Sequence, residues 1–179
     1  AYSRAGVAAF TTSTGYGIAK YDNPEELSVS DRNNIGYQYT DCPLYWISVI
    51  YLNFAEAKAE MGSLTQDDLN NSINKLQARA GLPAMTTTPD ADPANNMGVS
   101  NLIWEIRRCR RCELIMDNWY RYWDLIRWHQ LDKLDSTKYP NTMLGANVSN
   151  VPDCEEATKN GYIDASDAQI RTYEAKHYF

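Results

Sequence analysis

Residues able to do chemistry crowd into Glu105–Trp128: E-I-R-R-C-R-R-C-E-L-I-M-D-N-W-Y-R-Y-W-D-L-I-R-W. The stretch holds Arg107, Arg108, Arg110, Arg111, Arg121 and Arg127 among the acids Glu105, Glu113, Asp117 and Asp124. It also carries Trp119, Trp123 and Trp128 and a Cys-x-x-Cys pair, Cys109 and Cys112. Paired carboxylates can run acid–base chemistry on a glycosidic bond, and thiols at this spacing can bind zinc or cycle redox states. Spacing argues against each. Glu113 lies three residues after Arg110, and Asp124 lies three from both Arg121 and Arg127, which are ion-pair distances on a helix. Glu113, Arg121, Asp124 and Arg127 therefore read as structural ion pairs, with no catalytic residue among them. The Cys-x-x-Cys lacks the second pair that a zinc ribbon needs, and it sits in a helical pattern rather than a βαβ setting. Small packing thiols are the favoured reading; a disulfide stays open, since Cys42 and Cys154 complete an even count and sequence does not choose the pairing.

His129 and His177 are too few and too far apart for a histidine-rich metal site. Asp90, Asp92, Asn95 and Asn96 resemble a calcium loop but lack the glycine and closing glutamate of an EF-hand. No P-loop, no G-x-G-x-x-G and no G-x-S-x-G occurs. No metal and no cofactor is expected. Of the tryptophans, Trp123 and Trp128 read as core or arginine-stacked. Trp119, after the helix break at Asn118, is the exposed one and the candidate ligand-binding residue.

The chain has 179 residues and a net charge of −6. It is long enough for one domain that buries roughly 70% of its unfolded surface. The acidic balance excludes a general nucleic-acid binder, which needs a basic face. Nothing is apolar enough for long enough to span a membrane. The 13 tyrosines and 5 tryptophans against 3 phenylalanines suit half-buried packing or a sugar or peptide surface. Both ends read as cut ends, so a fragment of a longer protein is expected.

Four helices are expected, at about 44–61, 65–80, 101–117 and 120–134. The first carries a stripe of Trp46, Val49, Ile50, Phe54, Ala57 and Met61, with Gly62 as its stop. Ser63-x-x-Gln66 reads as the capping box of the second, and Gly81 and Pro83 close it. The short connection makes the two an antiparallel hairpin, the size of one tetratricopeptide-like unit of roughly 34 residues. No second copy follows. Residues 84–99 form a polar loop. Residues 1–41 and 135–179 are loop-rich, with strands expected near Tyr16–Tyr21, Tyr162–Ile163 and, most strongly, Arg171–Phe179.

Three stretches resemble the C-terminal region of the SusD/RagB family, outer-membrane nutrient-binding lipoproteins of Bacteroidetes. Leu52–Ala57 (L-N-F-A-E-A) resembles the family's L-n-y-A-E-A helix. Ile73–Pro83 resembles its I-N-x-v-R-x-R-A-G-l-p. Arg110–Leu114 with Arg121–Trp128 resembles its E-R-r-x-E-L-x-x-E-g-x-R-y-x-D-L-x-R-W. Cys109, Gln77 and Trp46 depart from residues common there, and Arg121 comes one residue late. The resemblance implies a mainly α SusD-like fold with a tetratricopeptide-like helix pair, long loops and a few short strands, here as a single domain. It implies a non-catalytic component of nutrient uptake and polysaccharide utilisation at the cell surface. Its partners would be an oligo- or polysaccharide and a SusC-like TonB-dependent transporter. Membrane contact would come only through a lipid anchor absent from this chain. A peptide-binding protein, or a purely protein-interaction scaffold capping the transporter, is the alternative, and a glycoside hydrolase using Asp117 or Asp124 is the enzymatic one.

Overall fold

The structure is a computed structural model that describes residues 14–17, 20, 28, 30, 44–117, 119–150 and 158–165. The expectations on Cys42, Cys154, Asn118, His177 and Arg171–Phe179, and half of that on Tyr16–Tyr21, lie outside these residues. The chain forms two compact units, Pro43–Gln130 and a second made of Ala1–Cys42 with Leu131–Phe179.

The first unit is helical: α1 (Ile47–Glu60), α2 (Gln66–Asn70), α3 (Ile73–Arg79), α4 (Asn101–Glu113) and α5 (Tyr120–Arg127). α1 packs mainly on α4 and also on α3. Leu52 and Ala55 of α1 meet Leu69, Ile73, Leu76, Ile106 and Leu114 in one core, with Met85 of the following loop. α1 is apolar nearly all round, and the face it buries is not the stripe that periodicity selects. Ser48, Leu52, Ala55 and Glu56 point inward, while Ile47, Ile50, Phe54 and Met61 are exposed. A helix with two apolar faces gives periodicity no contrast to read.

The second expected helix is two. At Ser72 the backbone leaves the helix (φ −132°, ψ −98°). The Ser72 hydroxyl donates to the Asp68 carbonyl at 2.5 Å and the Asn71 amide to the Asp67 carbonyl at 2.9 Å. The Asp67 carbonyl keeps its ladder bond from the Asn71 N–H, but the Ser72 hydroxyl takes the Asp68 carbonyl while the Ser72 N–H turns to Leu69, so the ladder breaks there. The capping box is also two residues further on: Thr65 accepts from the Asp68 N–H (3.2 Å) while Asp68 accepts from the Thr65 N–H (2.9 Å). Ser63 instead closes α1, its N–H reaching the Lys58 carbonyl at 2.9 Å beside Gly62 (φ 67°). That is a Schellman stop. Gly81 (φ 68°) repeats it after α3, and His129 (φ 53°) repeats it after α5. The stop at His129 ends α5 at Arg127, well before the expected residue 134. α4 likewise stops at Glu113, with Met116 left-handed (φ 63°) in the turn that follows.

The second unit carries a 3-10 turn, Leu131–Leu134, and an antiparallel sheet of order β1–β3–β2: β1 (Leu144–Asn147), β2 (Thr158–Lys159) and β3 (Tyr162–Asp164). Asn160 and Gly161, both at positive φ, make the two-residue turn between β2 and β3, the geometry that an Asn-Gly pair favours. β3 contains the expected Tyr162–Ile163 strand, with Ile163 fully buried. Gly145 lies against the Thr14 backbone, where a side chain would collide, and the Ala146 N–H donates to the Thr14 carbonyl at 2.8 Å.

Candidate functional site

α1, α4 and α5 bring the charged residues of Glu105–Trp128 together around two buried acids. Glu56, only 3% exposed, accepts from Arg107 Nε (3.0 Å), Trp128 Nε1 (2.8 Å) and Arg127 Nη2 (2.5 Å). Asp124, also buried, accepts from Arg110 Nε (2.7 Å) and Arg127 Nε (2.9 Å). Arg110 further donates to Asn53 Oδ1 (2.8 Å) and Arg107 to Glu60 (3.2 Å). The guanidinium groups of Arg107 and Arg127 lie over the Trp128 ring, 4.6 and 4.7 Å from its centre.

This cluster is saturated. Burial pushes the Glu56 carboxyl up, but Arg127, Trp128 and Arg107 together hold it below the usual carboxylate range. A general acid needs the opposite shift. The arrangement clamps three helices and leaves no carboxylate oxygen poised for substrate.

The expected ion pairs are partly re-partnered. Asp124 does bond Arg127, but its other oxygen is taken by Arg110, so Arg121 lies over the Trp128 ring at 5.9 Å and makes no ion pair among the described residues. Glu113 turns to Arg79 of α3 (2.5 Å) rather than to Arg110, which Asp124 and Asn53 occupy. Sequence spacing along one helix does not see Glu56, Asn53 or Arg79, which come from elsewhere. Glu56 carried one signal of another kind: with Asn53 it falls in the Leu52–Ala57 motif. Cys109 and Cys112 are free thiols, and burial pushes Cys109 up to about 12. Among the described residues no group of acids, thiols and imidazoles could hold a metal ion.

A second feature is open. Trp119 is left-handed (φ 60°) at the start of α5 and 81% exposed. Trp123, expected in the core or stacked on arginine, is 61% exposed, because Asp124, Leu125 and Trp128 occupy the inner face of α5. Tyr122 meets Trp123 edge-on, ring centres 5.8 Å apart. Ile115 and Met116 in the preceding turn are exposed too.

A third is a cleft of about 510 Å³ between the ends of α3 and the middle of α4, with Gln77, Glu105 and Arg108 in its walls. No sequence pattern announces it, because the loop after α3 supplies one side.

No helix among the described residues is long and apolar enough to cross a membrane. Neither the curated proteins nor the solved structures hold a significant match to the chain. A family model described as the SusD family matches residues 2–179. With that match, and with a mainly helical structure of the kind the motifs imply, the chain belongs to the SusD family, whose members are nutrient-binding, non-catalytic proteins associated with the outer membrane.

Proposed function

We propose that the chain is part of a non-catalytic, cell-surface glycan-binding component that works with a SusC-like TonB-dependent transporter and is held to the membrane by a lipid anchor on the full-length protein. The observation that carries the reading is the exposed indole of Trp119, presented at a helix start with Trp123 and Tyr122 close by. Flat rings with an N–H or O–H at their edge suit the apolar faces and hydroxyl rims of sugars. The saturated state of Glu56 and Asp124 supports capture without hydrolysis. Affinity electrophoresis through gels loaded with single polysaccharides tests the reading. Retardation by at least one glycan, without new reducing ends, is expected. Migration unchanged in every glycan gel, with binding to peptides instead, would refute it.

A second reading rests on α1. Its exposed Ile47, Ile50, Phe54 and Met61 form one apolar stripe, the kind of surface that meets another protein. A scaffold that caps the transporter would use it, and co-purification of a β-barrel partner that is lost in Ile50→Glu would favour this role.

A further inference from the structure

The cleft between α3 and α4 has the features of a built site. Its volume of about 510 Å³ falls in the usual range for small ligands. Its loop wall is pinned. The Asn74 amide donates to the Met85 carbonyl (3.1 Å) and accepts from the Met85 N–H (2.7 Å), and Gln66 donates to the same carbonyl (3.0 Å). Further along, Trp104 Nε1 donates to Asp92 (2.8 Å) and ties the loop to α4. Such a wall is formed before a ligand arrives.

Gln77 is the telling residue. It is 8% exposed and lines the cleft, yet its side-chain amide makes no hydrogen bond among the described residues. The amide opens on the cleft, where it can both donate to and accept from a ligand. Across from it, Arg108 grips Glu105 through Nε (2.7 Å) and Nη2 (2.5 Å), which orients both and leaves the other guanidinium N–H groups to donate. Thr88 adds a hydroxyl, and Leu82 and Pro83 an apolar side. Glu105 offsets Arg108, and Asp90 adds a further acid, so the walls carry no excess positive charge.

We propose that this cleft is a ligand subsite for one or two neutral sugar rings, separate from the Trp119 surface. The proposal rests on the glycan reading and names a place for it. Paired donors and acceptors match vicinal hydroxyls, the apolar side matches ring C–H groups, and the charge balance disfavours uronic acids.

Two-dimensional ¹⁵N NMR on the full chain, titrated with cellobiose, lactose and glucuronic acid, tests it. The Gln77 side-chain NH₂, the Arg108 Nε–H and the Trp119 indole N–H report separately. Saturable shifts at Gln77 and Arg108 with a neutral disaccharide are expected, at least about tenfold weaker in Gln77→Leu. Thr88→Trp, at an exposed position that should not disturb folding, should block the cleft and abolish them. Shifts at Trp119 alone would overturn the subsite and leave the glycan reading standing. Silence at both places would overturn both. Tighter binding of glucuronic acid, or cleft shifts that survive both variants, would also overturn the subsite.

Discussion

Glu56→Ala removes the acceptor on which three helices converge. Trp128 Nε1 would be left buried without a partner, and Arg107 would keep only its longer bond to Glu60. Removing one member of a buried ion pair costs about 3–5 kcal/mol. Two features lower that figure here. Arg127 keeps Asp124 and its side chain is 42% exposed, so water can replace part of what it loses. About 3 kcal/mol is therefore expected, or a fall in Tm of about 6–12 °C for a chain of this size. Glu56→Gln keeps the shape and one acceptor and should lose less. Because the Glu56 carboxyl is held below its ordinary value, its contribution is full above the unfolded carboxylate pKa and is lost as pH falls through the lower folded value. Calorimetry and urea unfolding of the wild type and both variants at pH 7 measure this. A Tm within 1 °C of wild type for Glu56→Ala, or a greater loss for Glu56→Gln than for Glu56→Ala, would refute the reasoning.

Other outcomes follow from the same contacts. Asp124→Ala leaves buried Arg110 with only Asn53 and should cost about 3 kcal/mol; Arg121→Ala loses a ring contact and should cost about 1 kcal/mol or less, and equal losses by urea unfolding would contradict the assignment. Asp68, held at about 2 by the Lys58 ammonium and the Thr65 side chain and N–H, should contribute to the α2 cap above about pH 4 and lose that contribution as pH falls towards 2; an NMR titration midpoint near 4 would contradict it. Cys112 is exposed, whereas the Cys109 thiol is half-buried and pushed up to about 12. Alkylation at pH 8 followed by mass spectrometry should therefore label Cys112 first, and equal rates would contradict it.

The sequence made the helices legible where glycine stops and caps punctuate them: Gly62 and Gly81 sit where the chain turns left-handed. It misplaced ends set by residues without that signature, such as His129 and Met116, which adopt the same backbone at a cost of about 1–2 kcal/mol. The break at Ser72 depends on side chains competing with the helix ladder, which propensity does not weigh. The Asn-Gly pair at 160–161 was a readable hairpin signal for β2 and β3, while β1 (L-G-A-N) has no strand-like composition. For the charged cluster, spacing along α5 found the Asp124–Arg127 pair but not Glu56, Arg79 or Asn53, since contacts across tens of residues leave no local pattern. Trp123 shows the same limit: an indole with apolar neighbours looks like core until the packing of α5 turns it outward. Gln77 and Arg108 line one cleft only in the folded unit; the sequence singles out each, Gln77 as a departure from the family motif and Arg108 within the charged stretch, but nothing in it puts them together.

In the proposed function, glycan is captured through the Trp119 surface. Isothermal titration of the full chain with the polysaccharide that retards it, comparing wild type with Trp119→Ala, tests it most directly. About tenfold weaker binding with an unchanged Tm is the predicted result. Equal affinity in the two proteins, or no heat with any polysaccharide, would contradict it.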